Sequence, residues 1–321
     1  MRKTLLGIVV FVLVPGFLPA SEPAPLAGVC YGPFRDGQSP LTGGIPSGKA
    51  MDEDIRFAAN LTRAIRTYSV ADTAAEIPAF CERQHLDCYP GAWLGRDRQA
   101  NRAELEKLIQ IARKTLPHVK AVIVGNEPMQ RGDFSLDEYV RYVRMVKKAV
   151  TVPVAAADTW VTWVRYKNKE GKTQIEDLAS AVDVVMVQIY PYWDKVPIER
   201  AARYTLDTYD EVQRRHPNKR VVLSEFGWPS AGEVRDGAVP SPGNQARYFQ
   251  ELLPELERRR ILYFYFELFD ERWKAAQEQQ VGANWGLFYS WGGLKPGLKP
   301  LLPLAAGQGI VRPPFRAAQR Q

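Results

Sequence analysis

Apolar and polar positions alternate along this chain in two rhythms. Short apolar runs occupy residues 26–31, 64–68, 86–93, 121–125, 154–157, 182–189, 221–224 and 261–268. Their length and composition predict eight strands. The segments between them carry apolar residues at helical spacing and predict helices over 52–61, 73–84, 99–116, 136–150, 175–180, 198–216 and 244–259. In the third of these, Leu105, Leu108, Ile109 and Ala112 form the apolar stripe. The acids Asp52, Glu53 and Asp54 suit the positive end of a helix dipole. Asp72 is placed to cap 73–84, and Ser135 with Glu138 three residues later forms a capping box. Strands separated by helices imply a parallel sheet. Eight is the number that closes into a (β/α)8 TIM barrel, an α/β fold whose site lies on the loops at the C-terminal ends of the strands. A single domain is expected over 26–300. The end of the chain, 301–321, is rich in Pro, Gly and Arg and reads as an irregular tail.

Composition agrees with this picture. The chain has 321 residues, 45% hydrophobic and 25% charged, ample for one barrel core. The net charge is +7, but bases interleave with acids, as in Glu211-Val212-Gln213-Arg214-Arg215. That is a solvated surface, not a nucleic-acid interface. Residues 1–20 read as an export signal: Arg2-Lys3 precedes the apolar stretch from Leu5 to Val14, Pro15-Gly16 ends it, and Ala20 marks a cleavage point. The stretch is too short and too broken by Pro and Gly for a comfortable transmembrane span. A secreted or periplasmic protein is expected, with membrane association only through this segment if it stays uncleaved. Three cysteines, Cys30, Cys81 and Cys88, leave at least one thiol unpaired within the chain. Cys81 and Cys88 are placed to bridge a helix to a strand. Neither their spacing nor the isolated His85, His118 and His216 suits a metal, so no metal and no cofactor are expected.

Two of the runs end in a glutamate. Ala121-Val122-Ile123-Val124-Gly125-Asn126-Glu127-Pro128 and Val221-Val222-Leu223-Ser224-Glu225-Phe226-Gly227-Trp228-Pro229-Ser230 each read as apolar strand, acid, then loop. They are the fourth and seventh predicted strands, so Glu127 and Glu225 project from the catalytic rim. Two facing carboxyls suit glycoside hydrolysis. One protonates the leaving oxygen, and the other attacks the anomeric carbon or activates water. The first must hold its proton near neutral pH, which needs burial or a neighbouring negative charge. The second must stay ionised. A retaining pair is expected about 5–5.5 Å apart. Either glutamate alone reads equally as half of a structural ion pair, because carboxylates are rarely buried unpaired. The two together favour chemistry.

Gly125-Asn126-Glu127 and Glu225-Phe226-Gly227-Trp228-Pro229-Ser230 resemble the two catalytic signatures of glycoside hydrolase family 17. That family contains β-1,3-glucanases, β-1,3-1,4-glucanases and β-1,3-glucanosyltransferases. Other segments resemble it in the same order. Val29-Cys30-Tyr31-Gly32-Pro33-Phe34 is similar to its first strand, Ile65-Arg66-Thr67-Tyr68 to its second and Gln188-Ile189-Tyr190-Pro191-Tyr192 to its sixth. Tyr265 to Lys274, followed by Trp285-Gly286-Leu287-Phe288, is similar to its last strand and loop. Phe226 stands where plant members carry a small residue, and Pro128 follows the acid, a spelling that resembles the bacterial branch.

The resemblance implies double displacement on a β-1,3-glucan, with Glu127 as acid/base and Glu225 as nucleophile. It implies that Asn126 bonds the sugar 2-hydroxyl and that Tyr31 and Tyr190 line the sugar at the cleaved bond, Tyr190 also donating to Glu225. Glu267 and Lys274 contact sugar hydroxyls or pair with each other. Trp93, Trp160, Trp163, Trp193, Trp228, Trp273 and Trp285 all lie at or after predicted strand ends. Flat rings there offer sugars a stacking surface. Trp193 and Trp273 are the favoured contacts, and Trp228 is one that the turn before Pro229 can instead lock in place. Competing readings are another retaining β-glycanase of the same superfamily, cellulase- or mannanase-like, and a non-catalytic carbohydrate-binding barrel.

Overall fold

The structure is a computed structural model that describes residues 23–114, 116–167, 175–304 and 309–314. The expected export signal lies outside the described residues. One parallel sheet contains β1 (Val29–Cys30), β2 (Ala64–Arg66), β3 (Asp87–Tyr89), β4 (Gly91–Ala92), β5 (Val122–Asn126), β6 (Val154–Thr159), β7 (Val184–Gln188), β8 (Arg220–Phe226) and β9 (Tyr263–Tyr265). Their order is β3-β2-β1-β9-β8-β7-β6-β5-β4. Only Pro90 separates β3, which pairs with β2, from β4, which pairs with β5. The two are halves of one stave, so the sheet closes as an eight-stave barrel. Proline has no N–H for the ladder, yet its carbonyl accepts from Ile123 N at 2.9 Å. Each predicted run overlaps one stave, as expected for the (β/α)8 barrel. The staves read as continuous apolar runs because helices cover their outer face. β5 and β7, for example, are buried throughout.

Helices Gly48–Ala58, Ile77–Arg83, Arg98–Ala112, Leu136–Ala149, Ile175–Ala181, Ile198–Arg215 and Pro242–Arg258 lie between the staves. Three local expectations are corrected. The first helix starts a turn early, capped by Ser47, so its acids sit inside it and not at the dipole end. Asp54 is wholly buried there and accepts from Tyr31, Arg35 and Arg312. Asp72 caps nothing. It opens a 3-10 turn, and the α-helix begins only at Ile77, with Pro78 in its first turn, where the missing N–H costs least. Ser135 does accept from Glu138 N at 3.2 Å. The Glu138 carboxylate, however, faces Arg98 and Tyr142 and not the Ser135 backbone. Short helices Trp160–Arg165 and Ala275–Gly282 were not predicted. Cys30, Cys81 and Cys88 are buried free thiols. Among the described residues no helix is long and apolar enough to cross a membrane.

Candidate active site

The C-terminal ends of β2, β5, β7 and β8 meet around one carboxylate. Glu225, the penultimate residue of β8, is only 3% exposed. Its carboxylate accepts from Arg66 Nη1, from Gln188 Nε2 at 3.0 Å and from Tyr190 Oη at 2.5 Å. Arg66 ends β2 and Gln188 ends β7, so both donors are strand-mounted. The same two residues hold Asn126, whose Oδ1 accepts from Arg66 Nη2 and Gln188 Nε2, each at 2.6 Å. Arg66 Nη1 also donates to the Ser224 carbonyl at 2.8 Å. Burial pulls the Arg66 guanidinium down, but Glu225 first and Tyr68 next raise it further, so it stays charged. A buried cation is tolerated when its partners are this well matched.

Glu127 stands just beyond β5 with φ 52° and ψ 32°, the left-handed region that few non-glycine residues adopt. Such backbone persists where the surroundings enforce it, often at sites of function. Here Gly125 precedes it at φ 78°, Glu127 N donates to Ala157 O at 2.9 Å, and Pro128 starts a single helical turn. The Glu127 side chain is half-buried. Among the described residues no group hydrogen-bonds its carboxyl. Burial, then the negative charges of Glu225 and Asp158, push it well above the usual carboxylate range, against the pull of Arg131. Asp158 is itself pushed up to about 6 by burial, although Thr162 Oγ1, Thr159 N and Met129 N all donate to it.

This difference carries a stability signature. The folded chain keeps the Glu127 proton to higher pH than the unfolded chain, so folding binds a proton between the two values. Stability from this group is therefore full below the usual carboxylate range and is lost as pH rises through the raised value. Glu127→Gln cannot titrate. Its melting temperature relative to wild type is expected to rise between pH 5 and pH 8, and a constant difference across that range in thermal scans would contradict the raised value.

Residues 28–286 match the family model of the BtgE/BtgC glycoside hydrolase domain. The chain belongs to this glycoside hydrolase family. The glucan endo-1,3-beta-glucosidase btgC of Emericella nidulans is 26% identical over 287 residues, covering 79% of this chain and 42% of that protein. The probable glucan endo-1,3-beta-glucosidase btgC of Aspergillus fumigatus is 26% identical over 286 residues, covering 79% and 40%. The chain spans about two fifths of the length of these relatives. The crystal structure of the glycoside hydrolase family 17 beta-1,3-glucanosyltransferase from Rhizomucor miehei superposes with a TM-score of 0.73 at 27% identity, covering 85% of this chain and 96% of that one. An active-site mutant of the Rhizomucor miehei beta-1,3-glucanosyltransferase in complex with laminaritriose aligns equally well, at 0.73 and 26%. An endo-laminarinase from Formosa, 20% identical with a TM-score of 0.75, covers 86% of each chain and shares the fold. The family resemblance read from the two signatures is borne out.

The other residues singled out in this glycoside hydrolase separate into groups. Tyr190 and Asn126 join the Glu225 network directly. Tyr31 does not: it is wholly buried and donates at 3.0 Å to Asp54 on the first helix. Glu267 and Lys274 pair at 2.6 Å, and Lys274 also reaches Glu271 at 2.8 Å. Burial lowers the Lys274 ammonium, and Glu267 and Glu271 together more than restore it. Trp228 is shut in the core with its Nε1 donating to Val239 O at 3.0 Å, and Trp163 likewise donates to Met186 O at 3.0 Å. Trp285 is buried as well and supports Tyr190 edge-on at 5.1 Å. Trp193 stays half-buried beneath Arg235, and Trp273 is half-buried against Phe34.

Arg66, Gln188 and Asp158 were not assigned roles from the sequence. The signal was present for the first: an arginine closing an apolar strand, Ala64-Ile65-Arg66, needs a buried counter-charge. Among the described residues no three His, Cys, Asp or Glu side chains gather as a metal site.

Proposed function

We propose that this glycoside hydrolase cleaves β-1,3-glucan with retention, Glu225 acting as nucleophile and Glu127 as acid/base. The observation that carries the proposal is the asymmetry of the two rim carboxyls. Three donors, one of them a cation, converge on Glu225. Among the described residues Glu127 has no such donors, and its proton is held by burial and by nearby negative charge. Environments that differ in this way separate a charged nucleophile from a protonated acid. A retaining mechanism calls for two carboxyls about 5–5.5 Å apart. Glu127 protonates the departing oxygen as Glu225 attacks the anomeric carbon. In the second step Glu127, now a base, takes a proton from the incoming hydroxyl.

Asn126 fits the bond to the sugar 2-hydroxyl. Two donors occupy its Oδ1, which fixes the amide orientation and leaves Nδ2 to donate. Among the described residues Gln188 Oε1, Glu267 Oε1 and Trp273 Nε1 are buried without protein partners and suit further sugar hydroxyls. The names of the relatives support the β-1,3 linkage, and likeness to the Rhizomucor miehei glucanosyltransferase supports transfer to a second sugar beside hydrolysis. The basic start and apolar stretch within residues 1–20 support export to the periplasm or medium.

The test is to incubate the protein with reduced laminari-oligosaccharides and to follow products by mass spectrometry. Products both longer and shorter than the substrate are expected. Only shorter ones would restrict the enzyme to hydrolysis. Turnover of cello- or manno-oligosaccharides but not of these would overturn the linkage.

A further inference from the structure

We propose that Trp93 is the floor of a glucosyl subsite on the leaving-group side of the cleaved bond, a role that rests on the β-glucan reading above. Trp93 follows Ala92, whose partner across the barrel ladder is Val124, three residues before Glu127. It therefore sits on the stave next to the acid/base. It is 43% exposed, whereas Trp163, Trp228 and Trp285 are core residues. An exposed indole on a catalytic rim is an unusual place to leave so large an apolar surface without use.

The ring is held in place. The Arg131 guanidinium lies over it at 4.4 Å from the centroid. Arg131 is itself pinned, donating to Asn126 O at 2.5 Å, Leu94 O at 2.9 Å and Asp133 Oδ2 at 2.8 Å. One face of the indole is thus covered by a fixed cation, while the residue as a whole stays 43% exposed. Among the described residues no group hydrogen-bonds Trp93 Nε1. An exposed flat ring with a donor at its edge matches a glucose ring, which stacks its C–H face on an aromatic and presents hydroxyls around its rim. Because the ring is already ordered, binding loses little side-chain entropy.

The side of the cleft follows from Arg131. Arg131 N donates to Glu127 O at 3.1 Å, so the residue that covers Trp93 belongs to the turn that carries the acid/base. Glu127 delivers its proton to the departing oxygen. A sugar beside that turn is the departing unit, or the acceptor when the glycosyl-enzyme is intercepted by another glucan.

The experiment compares kcat/KM for laminaripentaose with kcat/KM for an aryl β-laminaribioside, whose leaving group is a single nitrophenyl ring. In Trp93→Ala the ratio of the two is expected to fall about five- to tenfold, the size of one aromatic stacking contact. Trp93→Phe keeps a flat ring and is expected to recover most of that ratio. An unchanged ratio in Trp93→Ala overturns the subsite. A parallel loss on both substrates also overturns it, because Trp93 would then be only a support for Arg131 and the acid/base turn. If the wild-type protein leaves laminaripentaose untouched but cleaves another glycan, the β-1,3 reading fails first and the subsite for glucose falls with it.

Discussion

Glu225→Ala is expected to lower turnover of laminari-oligosaccharides on the order of 10⁴-fold or more, the largest effect of any single change in the molecule. In the proposed mechanism the carboxylate bonds the anomeric carbon, and alanine leaves nothing to replace it. The same substitution opens a small space beside Arg66, Gln188 and Tyr190, which are the three donors that surround the carboxylate. A small anion fits that charge. Added azide is expected to restore part of the turnover on an aryl glycoside. Azide then attacks a β-glycoside once, with inversion, and the product is the α-glycosyl azide. That stereochemistry, read by proton NMR, assigns the nucleophile. A β-glycosyl azide would mean that azide had intercepted an intact glycosyl-enzyme, and the roles of Glu127 and Glu225 would be exchanged.

Much of this arrangement is legible in the sequence. The eight staves were readable because a parallel barrel buries both faces of every strand, so each appears as an apolar run with no alternation. Glu127 and Glu225 were readable because each interrupts such a run at its end, where burial of an acid needs a reason. Of the partners of Glu225, Tyr190 was legible through the family resemblance, but Arg66 and Gln188 were not. Arg66 lies 159 residues from Glu225 and 60 from Asn126, and only closure of the barrel brings them together. Local spacing holds no trace of that.

The tryptophans show the opposite limit. Trp93 and Trp160 directly follow strands, whereas Trp163 lies within the helix Trp160–Arg165, and position along the chain does not say which way a ring turns. Trp163 and Trp228 turn inward and spend their N–H groups on carbonyls, while Trp93 stays at the surface. Asp54 is similar. Its neighbours suggested a helix start, yet it serves as the buried acceptor for Arg35, Tyr31 and the distant Arg312.

Arg66 is where the fold and the chemistry depend on one side chain. Its two terminal nitrogens divide the work: Nη1 serves Glu225 and the Ser224 carbonyl, and Nη2 serves Asn126. Arg66→Met removes the charge, keeps much of the volume and leaves a buried carboxylate without its counter-ion. Breaking a buried pair in this way costs about 3–5 kcal/mol, which should appear as a lower denaturant midpoint. Loss of one preorganised donor at a catalytic centre lowers kcat by about 10²–10³-fold. Arg66→Lys restores charge but has one ammonium in place of a fork, so it cannot hold Glu225 and Asn126 in fixed relation. It is expected to recover more stability than activity. The decisive comparison adds Glu225→Gln to Arg66→Met. The unpaired charge is then gone, and the double variant should be more stable than Arg66→Met alone. If the double variant is instead the less stable, by the full sum of the two single losses, then Arg66 and Glu225 act independently. The guanidinium would then be a packing element of β2 and not the counter-charge of Glu225.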